Sequence, residues 1–281
     1  MDLGKLLIEP LLLSYVQRAI VAALLIGAVC GLIGTYLVSR SMAFLSIALT
    51  QAIFPGVVIA LLLYAGFLVG AVVAGLLTVI GVGLYSRRTH GRWEMAIAVL
   101  VAGAFALGVL LFSRLPTYRS DLEAVLVGNI LSISLNALVL ISILAGLTVA
   151  VLFTFYKELL LVSFDRTLAV SQGWPVYWLD RLLLVALAAT VIISLGALGT
   201  IFVVPLILIP SATARLWVGH FWSAMLLGCF LGALSDLAGL YLAYYLNAPS
   251  GATIVLLASA IFLVSFVVSP RRGLLAGRFR S

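Results

Sequence analysis

Apolar residues along this chain neither alternate nor recur at a helical period; they continue for 17–26 positions at a stretch, separated by short clusters of Arg, Ser, Gly and Pro. A helix takes about 20 mainly apolar residues to cross a bilayer. The pattern therefore predicts spans at 15–38, 42–64, 66–86, 94–113, 136–156, 182–198, 200–216, 221–246 and 252–269. Gly196, Gly199, Pro205 and Pro210 punctuate the pair over 182–216 and could leave half-helices, so the span count is eight or nine. The fold class is an all-α, polytopic membrane protein whose single transmembrane domain occupies residues 1–281, with no room for a soluble catalytic domain.

Composition agrees. The chain is 65% hydrophobic and 9% charged, with a mean hydropathy of +1.32, where a soluble domain carries about 25% charged residues. The net charge of +7 is explained by sidedness, without nucleic acid. With the C-terminus inside, twelve cations (Arg40, Arg87, Arg88, Arg92, Lys157, Arg166, Arg181, Arg215, Arg271, Arg272, Arg278 and Arg280) are cytoplasmic and only Lys5, Arg18, Arg114 and Arg119 lie outside. Nine spans then place Met1 outside. Asp2 and Glu9 beside Lys5 are the wrong charges for a cleavable signal. Trp93, Trp174, Trp178, Trp217 and Trp222 fall near cytoplasmic span ends, as an interfacial belt would, and the basic tail after Pro270 meets lipid headgroups. Cys30 and Cys229 sit within apolar runs, without metal-site spacing or a disulfide framework; His90 and His220 read as interfacial structural residues.

Polar interruptions of the apolar runs mark candidate chemistry. In the second span Pro55-Gly56 follows Thr50 and Gln51 by one turn; a broken, polar-flanked helix at membrane depth lines protein or a cavity, never lipid. Thr50 and Gln51 are thus pathway candidates, with interhelical hydrogen bonding as the plainer alternative. Asp236 is the one clear acid at membrane depth and is either a functional carboxylate or a neutral one hydrogen-bonded to a neighbour. Asn129 lies near the outer end, as a gate or a cap. Thr213 and Ser211 follow Pro210, whose freed carbonyls their hydroxyls would satisfy. Two segments exceed a tight turn: 114–135 outside and 157–181 in the cytoplasm. In the second, Asp165 caps a short helix ended by Gly173 and Pro175, which needs a partner surface to be stable.

Five segments in order carry a resemblance: Arg40-Ser-Met-Ala-Phe-Leu with Ala48-Leu-Thr-Gln-Ala-Ile-Phe-Pro-Gly56; Leu126-Val-Gly-Asn-Ile-Leu131; Lys157-Glu-Leu-Leu-Leu-Val-Ser-Phe-Asp-Arg-Thr-Leu-Ala169 with Gly173; Pro205-Leu-Ile-Leu-Ile-Pro-Ser-Ala-Thr-Ala214; and Pro249-Ser-Gly-Ala-Thr-Ile-Val255. Nearly end to end, the chain resembles the permease subunits of bacterial ABC importers for zinc, manganese and iron. The resemblance implies a type II importer-like permease in the plasma membrane, working as a homodimer. It implies separate ABC ATPase subunits that bind the ATP, an extracellular solute-binding protein, and a divalent metal as cargo rather than resident cofactor. Phe164, Asp165, Ala169 and Gly173 match the family's cytoplasmic coupling helix, which docks on the ATPase. A phosphate-binding Gly-x-x-x-x-Gly-Lys-[Ser/Thr] loop is missing from the chain, and no catalytic constellation is present.

At one place the chain departs from the family. Its relatives usually carry Asp and His four residues apart before the Pro-Gly of the second span, a hard-ion and imidazole pair. The matching positions here are Ile47 and Gln51. Isoleucine ligates nothing, and a glutamine amide is one neutral oxygen. Asp236 is the candidate replacement ligand. The leading reading is a divalent-metal permease. A metal chelate or other small solute is the second, and a stand-alone secondary carrier, with no use for a coupling helix, is the third.

Overall fold

Each apolar run condenses into a helix because, in hydrocarbon, only intrahelical bonding satisfies the backbone. The computed structural model describes residues 13–85, 93–113 and 126–269. Met1–Pro10, His90, the cations at 87, 88, 92, 114 and 119, the side chain of Trp93 and the tail beyond Ser269 lie outside the described residues. The helices are α1 (Ser14–Ser39), α2 (Ala43–Leu62), α3 (Phe67–Tyr85), α4 (Trp93–Ser113), α5 (Leu135–Thr154), α6 (Tyr156–Phe164), α7 (Arg166–Ser171), α8 (Val176–Leu198), α9 (Thr200–Trp217), α10 (Phe221–Leu246) and α11 (Ser250–Val268). A 3₁₀ turn covers Ile130–Ser132, and no strand occurs among the described residues. Seven helices, α1, α2, α5 and α8 to α11, are long and apolar enough to cross a membrane, while Phe67–Val82 of α3 and Val101–Ser113 of α4 are shorter apolar stretches.

Helix α1 forms the centre. It packs most extensively on α10 and then on α9, α5 and α8; α2, α3 and α4 form a second group joined to it through α8 and α9. Glycines set the closest approach. A Cβ on Gly27 would sit 2.5 Å from the Gly232 carbonyl oxygen, and one on Gly31 would overlap the Gly228 carbonyl. Two small-xxx-small faces, Gly27/Gly31 and Gly228/Gly232, thus bring the backbones together. Helix α5 is peripheral, with Leu135, Val139, Ile143 and Leu147 forming an exposed stripe at a spacing of four, an apolar face suited to lipid.

Three expectations change. Helix α2 is not broken at Pro55 but runs through it. Gly56 there admits α3 closely, since a Cβ on it would overlap Ala74 and crowd the Gly70 carbonyl. Helix α9 likewise runs through Pro205 and Pro210, so the 182–216 pair is two continuous helices rather than half-helices. Only Gly199 separates them, at φ 77° and ψ 164°, wedged against Leu126 and Gly128. Helix α8 starts at Val176 rather than 182, directly after Pro175, because Asp180 finds a buried partner and can enter the helix; α5 ends at Thr154, short of the expected 156.

Candidate functional site

Ile47 and Gln51 stand four apart on one face of α2. With Thr50, Phe105 of α4, and Thr200 and Ile201 of α9 they line a recess of about 270 Å³. Ile47 and Ile201 are 38% and 55% exposed, so the recess opens on the surface of the single chain. The Thr50 hydroxyl is buried and donates to the Ser46 carbonyl at 2.8 Å. The Thr200 hydroxyl is buried with no hydrogen-bond partner. Two further oxygens follow from covalent structure. Pro55 and Pro205 have no N–H, so the carbonyls four residues earlier, those of Gln51 and Ile201, lose their helical donors. Both belong to residues lining the recess. Its chemistry is neutral oxygen, the donor type that hard divalent cations accept. Among the described residues, no three of His, Cys, Asp and Glu come together. Sequence reading missed Thr200; its signal was a hydroxyl after Gly199 and five positions before Pro205.

The other pathway candidates lie elsewhere. Asp236 is fully buried on α10, its carboxylate oxygens have no hydrogen-bond partner, and it is not among the residues lining the recess. Ser235, the neighbour expected to bond it, donates instead to the Gly232 carbonyl at 3.0 Å. Thr213 donates to the Ile209 carbonyl at 2.7 Å, and Ser211 to Gly31 at 3.0 Å and Ile207 at 3.1 Å, so neither hydroxyl meets the Leu206 carbonyl that Pro210 frees. Asn129 caps the 3₁₀ turn by accepting from the Leu131 N–H at 3.1 Å. It also borders a larger hollow of about 760 Å³ with Tyr15, Tyr244, Asn247 and Ser250. His220 precedes α10 without a side-chain cap, and Trp174, Trp178, Trp217 and Trp222 are all 40% exposed or more, as a belt requires. Cys30 is buried and Cys229 half-buried, both free.

At the opposite end from that hollow, the segment between α5 and α8 folds as the Asp165 and Gly173 signals require. Asp165 accepts from the Leu168 N–H at 2.8 Å, capping α7, and Gly173 adopts φ 80° to end it. Ala169, within α7, is fully buried. On the outer side Phe164 is 66%, Val170 60% and Trp178 67% exposed. Phe164 and Val170 lie outside the membrane-crossing helices, while Trp178 is in the first turn of α8, where an interfacial belt would sit. Behind α7 sits a charged cluster. Arg40, just after α1, meets Asp180 at 2.8 Å and donates to Ser163 at 2.8 Å and the Leu159 carbonyl at 3.1 Å; Arg166 of α7 meets the other Asp180 oxygen at 2.9 Å. Burial pulls the Arg40 pKa below the ordinary guanidinium value, and the Asp180 carboxylate opposes that shift.

Known proteins resemble this chain in sequence and in fold. The manganese transport system membrane protein MntC of Halalkalibacterium halodurans is 35% identical over 267 residues, which cover 95% of this chain and 91% of that protein. The manganese import system permease protein ScaB of Streptococcus parasanguinis is 35% identical over 259 residues, 92% of each. The solved structure of PsaBC from Streptococcus pneumoniae in complex with Fab superposes with a TM-score of 0.88 at 29% identity, covering 98% of this chain and 99% of that one. A sequence model of the ABC 3 transport family matches residues 13–269. The chain belongs to that family, whose members are membrane permease subunits of ABC transporters.

Proposed function

We propose that this chain is the permease of an importer for divalent metal ions, manganese foremost, and that all nine long helices cross the plasma membrane. Two copies related by a two-fold axis would close the recess, presenting the oxygens of Gln51, Thr50, Thr200 and Ile201 twice around one conduit. ATP would be hydrolysed on separate ATPase subunits docked against α7. A solute-binding protein would deliver the ion to the opposite end, around Asn129, Tyr244 and Asn247.

Helix α7 is the observation that carries this reading. Six residues long, it is capped at both ends, anchored by buried Ala169, and presents exposed Val170 beside exposed Phe164, both outside the membrane-crossing helices. A stand-alone carrier has no use for such a face. The test is manganese uptake into proteoliposomes holding the permease, its ATPase and a metal-loaded binding protein. Phe164→Ala should weaken ATPase docking by about 1–3 kcal/mol, the cost of one truncated interface anchor, and reduce uptake accordingly. Unchanged uptake and ATPase stimulation in a fully assembled complex would refute the docking assignment.

The lack of acid and imidazole among the described residues of the recess lining favours one second reading, a metal chelate as cargo, since a chelate brings its own charged ligands. Uptake of chelate but not of free manganese by the same proteoliposomes would select it.

A further inference from the structure

We propose that Asp180 is a positioning residue that ties the ATPase-docking helix to the wall of the recess. Its two carboxylate oxygens clasp Arg166 of α7 on one side and Arg40 of the α1–α2 turn on the other. The inference rests on the permease reading above and deepens it by naming how movement at the docked helix reaches α2.

The two legs of the clasp differ. Arg40 is 4% exposed and each of its three guanidinium nitrogens has a partner: Asp180, Ser163 and the Leu159 carbonyl. A buried cation held in this way keeps its partners, because releasing it would leave an uncompensated charge out of water. The turn it anchors is stiff. Ser41 sits at φ 55°, its N–H bonds the Val38 carbonyl at 3.3 Å, and the Met42 N–H bonds the Leu37 carbonyl at 2.9 Å. Helix α2 begins at Ala43, so Ile47 of the recess lies about one turn into the helix that this anchored turn starts. The other leg is loose. Arg166 is 61% exposed, and a solvated pair of that kind forms and breaks readily. The geometry is a permanent hinge on the α1–α2 turn with a releasable grip on α7. When the ATPase subunits shift α7, Arg166 either pulls on Asp180 or lets it go, and the α1–α2 turn feels the difference.

The experiment uses the full complex in proteoliposomes and reads manganese ions imported per ATP hydrolysed. Import by the parent complex tests the permease reading separately; the clasp is read from the variants. Arg166→Gln should lower the ratio by about tenfold, Arg166→Lys should largely restore it, and Asp180→Asn, which also strips buried Arg40 of its carboxylate, should lower it at least as far. The double variant should be no worse than Asp180→Asn alone, since residues acting through one contact are not additive. Effects that multiply to about a hundredfold in the double would show that Arg166 grips the ATPase directly, and would overturn the proposal. An unchanged ratio in Arg166→Gln, or less assembled complex with an unchanged ratio, would overturn it as well. Should Asp180→Asn fail to assemble, an Ile47→Cys reporter in a background lacking Cys30 and Cys229 decides. Its labelling rate should change with ATP in the parent and stay constant in Arg166→Gln; an ATP-dependent change surviving in that variant would refute the clasp.

Discussion

The α1–α10 interface and the wall of the recess occupy the same membrane interior, and both are interrupted by small or helix-breaking residues. Along α1–α10 the interruptions are glycines, Gly27 and Gly31 facing Gly232 and Gly228, and they let two backbones touch. Along the recess they are prolines, Pro55 and Pro205, which keep side-chain bulk and remove an N–H. Removing a Cβ closes space in lipid, whereas removing a donor opens chemistry. The first region is a frame with nowhere for a solute to go. The second presents oxygens with unmet bonding capacity around a gap.

The frame is the easier to break, and the effect there is the largest expected. Gly31→Val would drive a branched side chain into the Gly228 carbonyl, a backbone atom that cannot swing away. Overpacking of this severity costs about 3 kcal/mol. The variant should lose thermal stability in detergent and yield little folded protein. Gly146 of α5 is the control, since a Cβ there meets nothing within 4 Å. Gly146→Ala should be stabilising by about 0.5–1 kcal/mol through helix propensity. Equal melting shifts in both variants would remove the frame from the argument.

Next in size is a change that gives the recess what its relatives hold. Ile47→Asp with Gln51→His places a carboxylate and an imidazole four apart on the α2 face that lines the gap. Ligand charge strongly tunes divalent-ion affinity, so manganese retention by the purified permease should tighten by at least about tenfold. Turnover should fall with it, because a conduit must also release its ion. Equilibrium binding of radiolabelled manganese tests this; no gain would mean that Ile47 and Gln51 do not face the ion.

The spans and the capped cytoplasmic segment were legible in the sequence, while the glycine-packed frame was not, for reasons that separate cleanly. Span positions followed from hydropathy because lipid imposes length and apolarity on each helix independently. The Asp165 cap and Gly173 stop were local codes, and they folded as such. Pro55 misled as a break, since α2 runs through it where Gly56 lets α3 pack close. The start of α8 was missed because Asp180 and Arg181 resemble loop residues until Arg40, 140 positions away, supplies the partner. Thr200 was missed for the same reason, since a hydroxyl at a span start acquires meaning only when α2 and α4 enclose it. Local and solvent-imposed signals are readable in the chain; those that need a distant partner are not.

The sharpest test of the comparison carries the smallest expected effect. Asp236 is charged in the sequence and buried at membrane depth, so it invites assignment to the pathway. Structurally it belongs with the frame: it is on α10, one turn beyond Gly232, fully buried and absent from the recess lining. Its carboxyl oxygens have no hydrogen-bond partner to lose, and an amide matches a carboxyl closely in shape. Asp236→Asn should therefore leave manganese uptake within about twofold of the parent, the range of substitutions that remove no specific interaction. Gln51→Ala, which deletes one neutral oxygen from the recess, should cost about 0.5–1.5 kcal/mol and lower uptake about two- to tenfold. Both variants are read in one proteoliposome assay against the same ATPase and binding protein. If the order is reversed, the carboxylate reaches the ion, and the glycine-packed helices are themselves part of the conduit.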